Sequence, residues 1–388
     1  MQFFCAEIGG IVPYARSVPK HSRHVGGHGM STTVAERDYT VGGPESRSAV
    51  KRSLVSATWY RSPVPRPVLR ELMQRRDGPA IRDTLIWFIA LGLTGGLGFL
   101  AWGTWWAVPA FVCYGVLYGS SSDSRWHECG HRTAFGTPWM NDAIYAIASF
   151  MMLREPAIWR FSHARHHTDT LIVGRDPEIA VKRPPNLVSL VLDIFALTAG
   201  THELRRIALH AIGRLRADER NYLPAAEYRK VFWVARLYML ILATVIAASV
   251  ASNSMLPLMY VGLPTFYGGW FLRLVGLPQH AGLAEDVLDH RLNSRTIHMN
   301  PLFRFLYWNM NYHVEHHMYP LVPYHALPSL HAATKHTCPP AYRNLWEAYR
   351  EMIPALIRQR RDPGYFIARE LPPGAPTFGQ NANGKPST

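Results

Sequence analysis

The sequence predicts an all-α integral membrane protein: four transmembrane helices in two hairpins, with a cytoplasmic helical cap that holds metal. Three observations predict this. Two long stretches of the 388-residue chain carry no charge. Lys and Arg are gathered in the segments before, between and after those stretches. Eight histidines fall into three clusters, each placed after one of them.

Residues 1–80 are expected to form a poorly ordered basic segment. They are rich in Gly, Ser, Pro and Arg and show no sustained periodicity. Met1 to Phe4 is too short an apolar run for a signal peptide, and Met30 is an alternative start. Arg66 to Arg82 reads as a basic amphipathic helix leading into the first hairpin.

The first uncharged run lies between Asp83 and Asp123 and holds 39 residues. As one helix it would be roughly 58 Å long. A bilayer core is about 30 Å thick, so two crossings fit and one does not. Residues 84–122 are therefore read as a hairpin that turns at Ala101-Trp102-Gly103-Thr104. A second uncharged run lies between Arg236 and Arg273. Residues 231–277 are read as a second hairpin, divided by Ser252-Asn253-Ser254 and Pro257. Buried helix pairs in a soluble core rarely stay uncharged for so long. Trp102, Trp105, Trp106 and Trp270 suit membrane interfaces.

Residues 124–230 form the large loop between the hairpins. Its apolar stretches Trp139–Leu153 and Leu187–Gly200 are too short to span. They are expected in the interface or beneath the metal-holding part. Residues 278–345 carry the third histidine cluster. Residues 346–388 form a C-terminal tail, frayed from Pro363 onward.

Charge sets the orientation. Neither hairpin tip has a Lys or Arg, so both tips face outward and all three polar regions stay cytoplasmic. The net charge of +14 then lies against the anionic inner leaflet. A sequence pI near 9.8 also suits nucleic-acid binding, but no motif for it is present. Cys5, Cys113, Cys129 and Cys338 have no CxxC spacing, which argues against a zinc ribbon or a disulfide framework.

The chemistry lies in the clusters His127-Glu-Cys-Gly-His131, His163-Ala-Arg-His166-His167 and His313-Val-Glu-His316-His317. Residues three and four apart share a helix face, so each cluster can aim several imidazoles at one point. His280, where the second hairpin reaches the cytoplasmic surface, completes a set of nine. Nine imidazoles supply two metal ions with four or five ligands each. An even number of crossings separates the clusters, so all lie on one side of the membrane. His202, His210, His290, His298, His325, His331 and His336 are isolated and are not expected to be ligands. His290 and His298 are close enough to the third cluster to support it.

An all-nitrogen set suits iron, copper or zinc. Neutral ligands leave the metals more positive and more dependent on bound oxygen species, which suits activating O2 against an unreactive C–H bond. His127-Glu128-x-x-His131 also matches the H-E-x-x-H helix of zinc metalloproteases. That reading leaves both HxxHH clusters unexplained.

The pattern HxxxH, HxxHH and HxxHH, with a further histidine before the third box, resembles the membrane fatty acid desaturase superfamily over residues 84–345. Ser162-His-Ala-Arg-His-His-Thr-Asp-Thr-Leu-Ile-Val-Gly-Arg-Asp-Pro-Glu178 and Asn309-Met-Asn-Tyr-His-Val-Glu-His-His317 are similar to its dihydrorhizobitoxine desaturase-like group. The resemblance implies a membrane oxidoreductase with two iron ions. It would use O2 as co-substrate, take electrons from outside and remove two hydrogens from a fatty acyl chain. By motif position the iron ligands would be His127, His131, His163, His166, His167, His280, His313, His316 and His317. Asn309 or Asn311 would hold a metal-bound water. Asp169, Asp176, Glu285 and Glu315 could orient imidazoles. No donor domain is recognisable, so a separate ferredoxin, rubredoxin or cytochrome b5 type protein is implied. The acyl lipid would enter from the bilayer. A hydroxylase on the same scaffold is the nearest rival, and a non-catalytic lipid-binding protein a remote one.

Overall fold

The computed structural model describes residues 37–377. Cys5, His21, His24, His28 and Met30 lie outside the described residues. Among the described residues no β-strand forms, and two isolated bridges pair Thr296 with Tyr312 and Ile297 with Tyr342.

The first long helix, α1 (Asp77–Leu100), has 24 residues and a length of about 36 Å. Leu85, Ile89, Leu93 and Leu97 recur every four residues and are all exposed, whereas Trp87, Leu91, Gly95 and Gly98 are buried. An exposed stripe of Leu and Ile on such a helix is a lipid-facing surface. The single basic helix expected over Arg66–Arg82 is instead broken. A short helix, Arg66–Leu72, stops before Arg76, whose backbone is extended. The break has a cause at Asp77, whose carboxylate accepts from the Thr137 N–H at 3.0 Å and its hydroxyl at 2.7 Å. This ties the start of α1 to the loop after the first histidine box.

The chain turns over at Gly103, with φ +86°, and returns as α2 (Ala107–Gly119). Ser120 ends α2 and α3 (Ser121–Gly130) follows. Next come α4 (Pro138–Met151), α5 (Pro156–Thr168), α6 (Ala199–Ala211) and the second long helix, α7 (Tyr228–Ala251). Two helical stretches, Arg66–Leu100 and Ala225–Ala251, are long and apolar enough to cross a membrane. The bent pair Leu187–Phe195 and Ala199–Ala211 adds a third candidate.

The return legs differ from the continuous helices expected. At 13 residues α2 is about 20 Å long. After α7 the chain turns at Asn253, then proceeds as Leu256–Tyr260, Pro264–Tyr267 and α8 (Trp270–Gly276). Pro257 and Pro264 lack the N–H that would continue a helix, and Gly262 has φ +95°. Backbone exposed by such breaks needs partners at membrane depth. Tyrosines supply some: Tyr114 donates to the Tyr260 carbonyl at 3.1 Å and Tyr267 to the Met259 carbonyl at 2.8 Å, while Tyr260 ties the leg to α1 by donating to the Gly95 carbonyl at 2.6 Å.

The return legs meet backbone to backbone at Gly115 and Gly268. A Cβ on Gly268 would fall inside the van der Waals envelope of the Gly115 carbonyl. Ser120 locks the contact, donating to the Gly268 carbonyl at 2.6 Å and accepting from the Leu272 N–H at 2.8 Å.

Two regions expected to lack order are structured. Residues 37–65 form a strap that includes the helix Pro44–Lys51 and buries Tyr39, Val41, Ala49, Tyr60 and Ser62. It is pinned by Gly42 N–H to Gly174 O at 2.9 Å, Tyr60 N–H to Leu288 O at 3.0 Å and an Arg37–Glu285 ion pair at 2.6 Å. The tail contains α10 (Leu345–Gln359). Beyond it, Ile367 is buried and donates to the Gly282 carbonyl at 2.8 Å, and Pro376 O accepts from Arg291 at 2.6 Å.

Gly268→Ala is expected to lower stability by about 1–3 kcal/mol through overpacking against Gly115. Gly96→Ala, with open space at its Cβ, is the matched control and should melt like the parent in the same detergent.

Candidate metal centre

All nine histidines singled out from the sequence meet in two groups. His127, His131, His163, His167 and His316 form one, and His166, His280, His313 and His317 the other. Within each group the donor atoms lie within 4.8 Å of one another.

The division follows from helix geometry. On α5, His163 and His167 are four apart and share a face, while His166 is rotated from His167 by about 100°. Box two therefore sends two rings to the five-histidine group and one to the other. The third box lies on α9 (His313–Met318) and works the opposite way. His313 and His317 enter the four-histidine group and His316 crosses to the five-histidine group. His127 comes from the end of α3 and His131 caps it. His280 follows α8 through the short 3-10 turn Leu277–Gln279.

The nitrogens converge as ligands do. Nε2–Nε2 separations are 3.1 Å for His131–His163, 3.1 Å for His163–His167 and 3.2 Å for His167–His316. In the second group they are 2.8 Å for His280–His313 and 3.0 Å for His313–His317. Nitrogens about 2.0–2.1 Å from one ion lie roughly 2.9–3.4 Å apart. Imidazoles cannot satisfy one another all round such a cluster, and both ring nitrogens of buried His127 have no hydrogen-bond partner. Burial first, and neighbouring imidazoles second, hold His127, His131, His167, His313, His316 and His317 well below the usual histidine pKa; for His280 the result is about 3. Neutral rings with converging lone pairs are the form a metal requires. The residues present fit a pair of metal ions.

The partners on the far side of the rings fix their orientation. Nδ1 of His163 meets Glu178 at 2.9 Å, Nδ1 of His166 meets Asp176 at 2.9 Å, and Nδ1 of His280 meets the Asn293 carbonyl at 2.8 Å. Burial works against ionisation of Glu178, but the His163 charge and hydrogen bond outweigh it and bring its pKa down to about 2. Burial likewise lowers His166, and Asp176 more than reverses it, leaving the ring raised. Glu128 is fully buried, and burial pushes its carboxyl up to about 8 despite hydrogen bonds from the Tyr324 N–H at 2.9 Å and the Thr133 hydroxyl at 3.1 Å. Its other oxygen stands 3.7 Å from Nδ1 of His127 and 3.8 Å from Nδ1 of His316.

Of the four carboxylates considered from sequence, only Asp176 reaches a clustered histidine. Asp169 binds Arg165 and Arg175, Glu285 binds Arg37, Tyr39 and Arg183, and Glu315 binds His331 and Thr296. Glu178 is a fifth carboxylate that sequence reasoning did not single out, and Glu128 entered only through the H-E-x-x-H match. Asn309 is committed to a turn: its φ is +55°, it accepts from Arg304 at 2.9 Å and donates to the Tyr324 carbonyl at 3.0 Å. Asn311 donates to the Ile297 carbonyl at 2.8 Å, and its buried oxygen has no protein partner. The metalloprotease reading fits poorly, because His127 and His131 share their group with three further imidazoles.

A cavity of about 950 Å³ adjoins Ser162, Asp176 and Glu178 and extends to Gly119, Thr265 and Leu272 at the foot of the return legs.

An all-helical fold among the described residues, with helices long and apolar enough to span a membrane and a nine-imidazole centre that fits metal, has the features of a membrane metalloprotein. Residues 103–349 match the family model for fatty acid desaturase. This chain belongs to the fatty acid desaturase family. It is similar to the Delta(12)-acyl-lipid-desaturase of Punica granatum, 33% identical over 92 residues, covering 24% of this chain and 22% of that protein. It is also similar to the Delta(12)-fatty-acid desaturase of Arabidopsis thaliana, 31% identical over 87 residues, with 22% and 21% covered. A longer match joins it to the bifunctional fatty acid conjugase/Delta(12)-oleate desaturase of Punica granatum, 30% identical over 195 residues, with 45% and 49% covered. The chain thus spans between about a fifth and a half of the length of these relatives.

Glu178→Gln and Asp176→Asn should each weaken metal binding about 10–100-fold by releasing the ring they hold. Asp169→Asn should leave it unchanged. Chelator competition with Fe2+ on the purified protein measures all three.

Proposed function

We propose that the protein is an integral membrane oxidoreductase that desaturates a fatty acyl chain with O2. It would use two irons, one in each histidine group. The observation that carries this reading is the meeting of nine imidazoles in sets of five and four in a family member. In the proposed layout, residues 84–345 are the desaturase domain, residues 1–80 a basic N-terminal segment and 346–388 the C-terminal tail. The two hairpins cross the bilayer four times, with return legs that are short and broken. Lys and Arg are absent from both tips, which supports a metal site and termini on the cytoplasmic face.

When bound, the two irons would supply the O2 activation needed to take hydrogen from an unactivated carbon. The chain's own residues do the rest. The nine histidines hold the ions, His166 and His163 being held in turn by Asp176 and Glu178. The helices α1, α2, α7 and α8 present the apolar chain, and positioning determines which carbon reacts. Electrons come from a separate ferredoxin, rubredoxin or cytochrome b5 type donor.

Lipid mass spectrometry of a host expressing the chain tests the reaction. A loss of two hydrogens from a host acyl chain is expected, and His166→Ala should abolish it. A gain of one oxygen would identify a hydroxylase instead. An unchanged lipid profile with an iron-free protein would overturn the proposal. Iron analysis should give about two ions per chain, one for each group of ligands.

A further inference from the structure

We propose that Trp59 and His290 form the port through which electrons reach the four-histidine group. The surface around Trp59 and Arg61 would receive a small acidic one-electron carrier protein. This rests on the metal-centre reading above and assigns the place where that centre is reduced.

Trp59 lies in the extended part of the strap between the helices Pro44–Lys51 and Arg66–Leu72. Side chains alternate along extended backbone. Tyr60 and Ser62 point inward: the Arg291 guanidinium covers the Tyr60 ring at 3.4 Å, and Ser62 accepts from Thr337 at 2.6 Å. The alternation leaves Trp59 half-buried and Arg61 exposed on the other face. The Trp59 indole N–H donates to the carbonyl of Thr168, the residue after His167, at 3.0 Å. Its ring lies flat on the imidazole of His290, with centroids 4.2 Å apart and planes 7° from parallel. His290 is 2% exposed and belongs to neither histidine group. Its ring centroid is 5.0 Å from that of His317, a member of the four-histidine group.

Two packed rings thus connect the protein surface to a metal-facing imidazole. Electron tunnelling decays exponentially with distance and is faster through packed π systems than through water. A second aromatic approach runs from Trp159 through Trp126 to His163. Its steps are longer, at 5.8 and 5.4 Å, and Arg154 covers both indoles. Around Trp59 the charge is positive. Arg61 has no carboxylate partner among the described residues and rests 6.0 Å over the Tyr319 ring. Arg165 and Arg175 share the single carboxylate of Asp169, close to Thr168. A negatively charged carrier complements that patch. In each transfer the carrier loses one electron and the bound metal gains one. No bond is made or broken, and both rings stay in their closed-shell form.

The test uses the full-length, iron-loaded protein under argon. Anaerobic stopped-flow follows oxidation of three reduced carriers in turn: a ferredoxin, a rubredoxin and a cytochrome b5. Trp59→Leu is expected to slow uptake from the best carrier by an order of magnitude or more, per iron bound. Trp59→Phe should restore most of the rate, and Trp159→Leu should match the parent. Reduction by dithionite should be the same in all. Arg61→Glu should weaken carrier binding to metal-free protein at low salt, the difference vanishing near 1 M salt, where screening acts over about 3 Å. A parent-like rate in Trp59→Leu overturns the proposal, as does equal slowing with carrier and dithionite. Wild-type protein that accepts no electrons from any reductant would instead overturn the metal-centre reading itself.

Discussion

The structure depends on the convergence of nine imidazoles in two groups. Nine rings whose nitrogens approach to 2.8–3.2 Å cannot all be satisfied by one another. Unpaired buried nitrogens cost free energy, and a metal ion recovers it by using the lone pairs. Boxes two and three fork in opposite directions, so each ion would draw on both α5 and α9. Neither group can be assembled unless those two short helices are already side by side. Bound ions would therefore act as cross-links among α3, α5, α9 and the turn at His280, and their binding would become part of the folding free energy.

Charge is distributed in layers around that convergence. The inner layer is imidazole, and carboxylates that would balance bound metals stand one layer out. Asp176 and Glu178 grip rings on α5, while Glu128 lies beneath His127 and His316. Burial alone keeps Glu128 from ionising, with its pKa near 8. Cations held behind the two imidazoles would favour its charged form. Direct carboxylate ligands would quench the metals' charge, whereas carboxylates acting through imidazole preserve more of it and still fix each ring. The arginines near box two are occupied elsewhere: Arg165 and Arg175 with Asp169, and Arg154 with Asp123.

The parts of this arrangement that were legible in the sequence depend on local periodicity. Charge-free runs pointed to the long apolar helices, and i, i+3 and i+4 spacing picked out eight of the nine clustered histidines, His280 being found by its place after the second uncharged run. The parts that were hidden depend on long-range contact. Asp169 and Asp176 look alike in the motif, yet one faces two arginines and the other His166. Glu178 lies fifteen residues from the ring it holds, beyond any helical spacing. The strap resembles a loose basic tail because its partners, Gly174, Glu285, Leu288 and Thr337, are more than a hundred residues away. The breaks in the return legs were half visible. Pro257 was read as part of a turn, but Gly262 and Pro264 were absorbed into an uncharged run.

Those breaks also account for the position of the cavity. A continuous return helix after Asn253 would carry its side chains straight past α2. The breaks at Gly262 and Pro264 instead fold the leg so that Gly268 can sit against Gly115, with Ser120 bridging to Leu272. Gly119, Thr265, Gly269 and Leu272 then form one end of a space whose other end is Ser162 and Glu178, behind the imidazole of His163. Its wall is not purely apolar. The ion pairs Arg154–Asp123 at 2.5 Å and Arg273–Asp193 at 2.9 Å bring cationic partners to it, each already matched by a carboxylate. Matched charges can line a cavity near the membrane surface because neither ion is left unpaired. The same backbone breaks that shorten the return legs thus leave a space between the foot of those legs and the carboxylates that orient His163 and His166.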